Sequence, residues 1–143
     1  MSWQAFADDE PGLANFVRER VHGKVAYLAT IRKDGSPRVH PVTPVIDGQR
    51  MLVVMAPTSP KGRDLRRDPR FAIHCGVENA RGGGGEVLIR GRAEVQNVES
   101  EAPATGARAN VIFQLELDEV LITRTTDEGP VQRHWRLDGG TVQ

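Results

Sequence analysis

Residues 24–56 read KVAYLATIRKDGSPRVHPVTPVIDGQRMLVVMA. Two Asp-Gly pairs, at positions 34–35 and 47–48, separate three runs rich in apolar and β-branched residues. An Asp-Gly pair between apolar runs is a strong hairpin signal, because glycine adopts a positive φ without steric cost. The stretch therefore predicts an antiparallel meander of three strands, over residues 24–31, 37–46 and 50–56.

The middle run of this meander contains Pro37, Pro41 and Pro44. Each proline removes one backbone donor from the ladder of hydrogen bonds, so proline is confined mostly to edge strands and bulges. We expect an irregular or partly unpaired edge on this strand, with room for something other than a strand to lie beside it.

Short β-rich runs continue at residues 71–77, 86–98, 111–117, 119–125 and 131–137, and residues 100–109 suggest a poor helix. Before the first strand, apolar residues from Leu13 to Val21 recur at spacings of three and four, which is typical of an amphipathic helix. Many short strands with two small helices predict a mainly β fold, a six- to seven-stranded antiparallel split β-barrel. We expect one domain over residues 1–143, with residues 1–10 as a flexible N-terminal tail.

The overall charge is balanced, with 19 basic and 19 acidic residues in a chain of 143. That balance argues against a general binder of nucleic acid or of membrane surfaces, which needs a basic excess. Cys75 is the sole cysteine, which excludes an intrachain disulfide, and the four histidines lack the spacing of metal ligands. No apolar run approaches the ~18 residues of a membrane span. We expect a cytoplasmic protein without a metal ion.

Residues 59–70, SPKGRDLRRDPR, interrupt the β pattern with five basic and two acidic side chains. Ser59 suits a helix N-cap, Pro60 suits the first helical position, and Pro69 ends the helix. The first turn of a helix presents unpaired N–H groups and the positive end of the dipole, so Ser59 and Lys61 there form a candidate phosphate receptor, with Arg63 beside it. The alternative is a solvated basic helix with internal ion pairs, such as Asp64 with Arg67.

The order of hairpin, R-V-x-P-V-x-P at 38–44, second hairpin and S-x-K-x-R-D-L-R-R-D-P-R at 59–70 resembles the pyridoxamine 5′-phosphate oxidase-like family. That family includes FMN enzymes and a large branch of deazaflavin (F420)-dependent reductases. The resemblance implies an FMN-binding split barrel, paired as a homodimer with the cofactor between the subunits. FMN is the expected cofactor, and F420 is the alternative.

The resemblance also implies a cofactor site, residue by residue. Ser59 and Lys61 match the positions that hold the cofactor phosphate, with Arg63 close by. The strand bordering the ring corresponds to Arg38, Val39, His40, Val42 and Thr43. Val54 and Met55 match a position near the ring or its ribityl chain, Glu86 matches a polar residue of the partner subunit, and Trp135 resembles a late aromatic near the cofactor.

Two departures from the vitamin-forming oxidases argue against oxidation of pyridoxamine phosphate. Pro60 stands where those enzymes commonly have an arginine, and Thr43 replaces a lysine near the ring. The expected activity is hydride or electron transfer between the cofactor and a small conjugated substrate. No catalytic residue is assigned with certainty, and His40 is a candidate proton donor. The alternatives are a non-catalytic flavin or haem carrier or sensor on the same barrel, and a dimeric barrel that binds no cofactor.

Overall fold

The computed structural model describes residues 1–96 and 110–142, so the predicted helix over 100–109 and the end of the strand predicted over 86–98 lie outside the described residues. The described chain forms three helices and nine strands, and none of these helices has the length and apolar character to span a bilayer. The elements are α1 (Trp3–Asp9), α2 (Pro11–Val21), β1 (Ala26–Ile31), β2 (Pro37–Val42), β3 (Val45–Asp47), β4 (Arg50–Met55), α3 (Pro60–Arg67), β5 (Arg70–Cys75), β6 (Glu86–Val95), β7 (Val111–Thr126), β8 (Gly129–Arg136) and β9 (Gly140–Val142). The fold is a mostly antiparallel β structure with small helices, as the sequence predicts.

Both Asp-Gly turns are present, and their glycines adopt the positive φ that the turns require, 85° at Gly35 and 63° at Gly48. The strand predicted over residues 37–46, however, is two strands. β2 pairs with β1, whereas β3 pairs with β4. The chain changes partner at Thr43 and Pro44, where a proline cannot continue the ladder.

This change of partner closes the sheet on itself. The strands follow the order β2-β1-β5-β6-β7-β4-β3, so β2 and β3 form opposite ends of the path although only two residues separate them in sequence. Curvature must therefore bring the two ends together, which makes a barrel, and the absence of a β2–β3 ladder in the described chain makes it a split one. The end of α2 bridges the split: Gly23 N–H donates to the Pro44 carbonyl over 2.8 Å, and Ile46 N–H donates to His22 Nδ1 over 2.8 Å.

The predicted runs 111–117 and 119–125 are one 16-residue strand, β7. It pairs with β4 through its first half, with β8 through its second half and with β6 along its length. The β6–β7 register shifts between Arg90 and Gly91. At that point the backbones approach so closely that a Cβ on Gly91 would clash with the carbonyl oxygen of Glu116.

The first ten residues are not a flexible tail, because α1 packs on the barrel. Trp3 and Phe6 are fully buried, and the Phe6 ring lies 4.9 Å from the ring of Trp135, centroid to centroid. Trp135 Nε1 also donates to Asp9 Oδ2 over 3.3 Å. Burying large aromatic side chains offsets the entropy of ordering this short helix, which would be marginal alone.

We expect Gly91→Ala to lower the free energy of unfolding by about 3 kcal/mol or more, because β6 and β7 must separate to admit the methyl group. Urea or thermal unfolding followed by circular dichroism measures the loss. Gly12→Ala is the matched control, since a Cβ at Gly12 has no atom within 4 Å. In α2 that change should stabilise by up to about 1 kcal/mol. Equal stability of Gly91→Ala and the parent would contradict the close approach.

Candidate cofactor site

Helix α3 begins at Pro60 after Ser59, as the sequence predicts. Within the described chain the Ser59 hydroxyl caps no backbone N–H of the helix. It accepts a hydrogen bond from Lys61 Nζ over 3.0 Å instead, and Ser59 itself is buried. Partial burial lowers the pKa of Lys61. The structure therefore brings Ser59 and Lys61 together at the start of α3.

The helix lies tightly on the end of β4. A Cβ at Gly62 would approach Met55 Sδ to 3.0 Å, so glycine permits the close contact between α3 and this strand. Met55 is buried beneath the helix, whereas the neighbouring Val54 is 49% exposed. Of the two β4 residues expected at the cofactor, Val54 is the one whose side chain is exposed.

Asp64 is the buried hub of the site. Only 3% of the residue is exposed, and its carboxylate accepts three hydrogen bonds. Thr30 Oγ1 and Arg38 Nε donate to Oδ2 over 2.7 and 2.8 Å, and Arg67 Nη2 donates to Oδ1 over 2.8 Å. Burial acts to raise the pKa of Asp64, but the hydrogen bonds from Arg38, Thr30 and Arg67 outweigh it and hold that pKa below its ordinary value. The carboxylate is therefore charged at neutral pH.

A cleft of about 620 Å³ opens between the β1–β2 turn and α3. Its lining is strongly basic, and consists of Arg32, Lys33, Asp34, Arg38, Pro60, Arg63, Asp64 and Arg67. Five of these side chains are basic and two are acidic. One acid, Asp64, already pairs with two arginines, and the other, Asp34, accepts from the backbone and hydroxyl of Ser36. The cleft therefore carries a net excess of three positive charges, which favours an anionic ligand.

The residues expected to hold the phosphate fall on two neighbouring faces of α3. Arg63 lines the cleft together with Arg38 from β2. Ser59 and Lys61 contact each other beside the cleft lining. Residues at i, i+3, i+4 and i+7 share a helix face, so Pro60, Arg63, Asp64 and Arg67 all point the same way. Arg38 and Arg63 thus line the same cleft, whereas Lys61 contacts Ser59 and does not line it.

Strand β2 forms an end of the sheet path, as the prolines predict. Val39 is 64% exposed, His40 and Thr43 are exposed, and Val42 is half-buried. His40 Nδ1 lies 2.9 Å from the carbonyl oxygen of Pro41, which requires a proton on Nδ1. Of the five residues named by the sequence on and after β2, Arg38 lines the cleft, Val39, His40 and Thr43 are exposed, and Val42 packs against the core.

Two further residues named by the sequence, Glu86 and Trp135, do not line the cleft of their own chain. Glu86 begins β6, where its Oε1 lies 3.5 Å from Nε2 of His74. Trp135 is 1% exposed and packs against Phe6 inside the barrel, so its ring is part of the core. Within one chain, neither lies in the basic cleft. Among the residues that the structure describes, no group of three or more His, Cys, Asp or Glu could hold a metal ion.

Sequence reasoning missed three basic residues of the cleft lining, Arg32, Lys33 and Arg67, and it missed the hydrogen bond from Thr30 to Asp64. The signal for Arg32 and Lys33 was present, since two basic residues directly precede the first Asp-Gly turn. Their role depends on where α3 lies relative to that turn, which is a tertiary contact. The predicted Asp64–Arg67 pair does form, and it coexists with an open basic cleft rather than replacing it.

Comparison with solved structures finds relatives of the same fold. PhzG from Burkholderia lata 383, in complex with tetrahydrophenazine-1-carboxylic acid, is 19% identical with a TM-score of 0.69, over 98% of this chain and 91% of that one. An F420 reductase is 19% identical with a TM-score of 0.55, over 70% of this chain and 91% of that one. HutZ, the haem storage protein from Vibrio cholerae, is 19% identical with a TM-score of 0.57, over 77% of this chain and 90% of that one.

At these identities the likeness concerns the fold, and comparison with curated protein sequences finds no match. The family model for pyridoxamine 5′-phosphate oxidase matches residues 14–126, which is well over half of the chain. The matched segment contains β1, β2, α3 and the whole basic cleft. This chain belongs to the pyridoxamine 5′-phosphate oxidase family.

Proposed function

We propose that this protein is an oxidoreductase that binds FMN, with F420 as the alternative cofactor, and transfers hydride or electrons to a small conjugated substrate. The observation that carries the proposal is the basic cleft between the β1–β2 turn and the start of α3. An isolated surface helix would scatter its charges, whereas this cleft collects side chains from the β1–β2 turn, β2 and α3 around one space. Family membership supports the same reading, since relatives with this fold include an F420 reductase and PhzG.

The residues present fit a phosphorylated flavin. A phosphate monoester carries nearly two negative charges at neutral pH, and the cleft has an excess of three positive charges. Arginine donors suit phosphate oxygens because their planar fork makes paired, charge-assisted hydrogen bonds. Val39 on β2 and Val54 on β4 also expose apolar side chains. A ligand with an anionic tail and a flat, largely apolar ring matches this division.

The bound flavin or deazaflavin would supply the redox chemistry. The chain's own contribution would be to bind and orient it: Arg38 and Arg63 at the phosphate, Lys61 beside them, and the exposed edge of β2 along the ring. His40 lies on that strand and stays the candidate proton donor. A haem or flavin carrier on the same barrel is the competing function, and HutZ is a relative of that kind.

We further propose that two copies pair through the outer face of β1 and β2. Directly opposed residues of an antiparallel pair share a face, so Tyr27 with Pro41 and Ala29 with Val39 form one apolar strip. Tyr27 is 47% exposed and Val39 is 64% exposed, so the strip is uncovered in a single chain. Pairing would bury it and bring a second copy next to the β2 edge.

The proposed function is tested by titrating the purified protein with FMN, F420 and haem in parallel, followed by absorbance and fluorescence. We expect saturable binding of FMN or F420, with one site per chain. We also expect that the bound cofactor, once reduced, passes its hydride or electrons to an acceptor. Riboflavin, which lacks the phosphate, should bind much more weakly. Saturable binding of haem without flavin would favour a carrier, and binding of none of the three would refute the proposal.

Lys61→Ala and Arg63→Ala should each weaken FMN binding about tenfold to a hundredfold, because each loses a charge-assisted hydrogen bond of about 1.5–3 kcal/mol. Isothermal titration calorimetry measures the change. Arg66→Ala is the matched control for Arg63→Ala, since it removes the same charge from an exposed position of α3 outside the cleft lining. Equal losses in all three variants would mean that general surface charge, and not the cleft, attracts the ligand.

Tyr27→Glu should convert a dimer to a monomer, because it places a charge in the apolar strip. Size-exclusion chromatography with light scattering measures the mass. Val131→Glu is the control. The exposed fraction of Val131, 45%, is similar to that of Tyr27, but Val131 lies on β8, outside the strip. If the parent chain is monomeric, or if the two variants behave alike, the proposed pairing face is wrong.

A further inference from the structure

The three donors to Asp64 come from three different elements, Thr30 from β1, Arg38 from β2 and Arg67 from the last turn of α3. The carboxylate is 3% exposed, so these bonds form where water competes little. A carboxylate offers about four acceptor positions, and three are used here. Asp64 therefore ties the two cleft walls, the β-hairpin and the helix, to each other.

Both arginines keep most of their hydrogen-bonding capacity. Arg38 donates to Asp64 through Nε, and Arg67 donates to it through Nη2. Among the described residues neither side chain has another hydrogen-bond partner. A guanidinium carries five N–H donors, so several remain on each. The two side chains are 31% and 38% exposed, and both line the cleft. They are thus fixed at one end and available at the other.

Without a carboxylate between them, two guanidinium groups this close would repel each other and adopt many rotamers. A ligand would then have to order both side chains on binding, at about 0.5–1.5 kcal/mol for each. The bonds to Asp64 remove that cost before the ligand arrives. This gain comes with an electrostatic loss, because the negative charge of Asp64 weakens the attraction for an anion.

From this geometry we propose that Asp64 is a positioning residue, which holds Arg38 and Arg67 as a paired receptor for the phosphate-like group of the ligand. The proposal rests on the proposed function for the identity of the ligand, and it adds Arg67 and Asp64 to the binding machinery. Thr30 supports the arrangement by fixing Oδ2 of the carboxylate.

The proposal and simple electrostatics predict opposite changes in anion affinity for Asp64→Asn. Removing the charge raises the net charge of the cleft, so attraction alone predicts tighter binding of an anion. Positioning predicts weaker binding, because an amide cannot accept from both arginines with both of its polar atoms. The direction of the change in affinity therefore separates the two.

The experiment compares Asp64→Asn with Asp68→Asn, which removes the same charge from the end of α3, where Asp68 pairs with Arg70 outside the cleft lining. Dissociation constants for FMN, riboflavin and inorganic pyrophosphate are measured by calorimetry, with circular dichroism to confirm folding. We expect Asp64→Asn to weaken FMN and pyrophosphate at least tenfold and to leave riboflavin unchanged. We expect Asp68→Asn to stay within about twofold of the parent for all three.

Equal or tighter binding of FMN and pyrophosphate by folded Asp64→Asn would overturn the proposal. Should that variant not fold, Arg67→Gln is tested instead, with Arg66→Gln at an exposed position as its control. Unchanged pyrophosphate affinity in Arg67→Gln would overturn the proposal. Pyrophosphate also separates the two proposals. If the parent binds pyrophosphate but no flavin or deazaflavin, the proposed function fails, and the pyrophosphate affinity of Asp64→Asn still tests the positioning role. If the parent binds none of these ligands, both fail.

Discussion

The passage of the chain from β2 to β3 within two residues, Thr43 and Pro44, is the constraint on which the rest of the structure depends. Because these strands end opposite edges of one sheet, the other strands must curve to let them meet. The hydrogen bonds from Gly23 and Ile46 then hold the meeting point without a continuous ladder. The outcome is a barrel with a permanent interruption, and β2 keeps an edge available beside α3.

Charge is distributed unevenly over this frame. The chain as a whole is neutral, yet one cleft concentrates five basic side chains. Such a concentration would strain the fold if each charge stood alone. Asp64 neutralises part of it from a buried position, and the remainder faces the solvent. A chain with no net charge can therefore hold a strongly basic cleft, because the folded structure decides which acidic and basic side chains lie close together.

The sequence predicted the features that local signals decide. Both Asp-Gly turns and the start of α3 at Pro60 depend on residues within a few positions of each other. Features that depend on distant partners were missed or misjudged. The predicted runs 111–117 and 119–125 leave a break at Asp118, yet a polar side chain is compatible with a half-buried strand, so β7 runs through it. The Asp64–Arg67 pair was foreseeable from helix spacing, whereas the bonds from Thr30 and Arg38 needed the packing of α3 on the hairpin.

The aromatic contact between α1 and β8 has a consequence for how the protein folds during synthesis. Asp9 and Trp135 are 126 positions apart, so α1 leaves the ribosome long before β8, the strand on which it packs. Until β8 has formed, Trp3 and Phe6 lack the surface against which they pack, so their side chains stay exposed to chaperones and to other nascent chains. Contacts this distant in sequence slow folding, because closing a long loop costs entropy before any contact compensates it. Barrel closure and docking of the first helix are therefore expected to come late, after most of the chain has emerged.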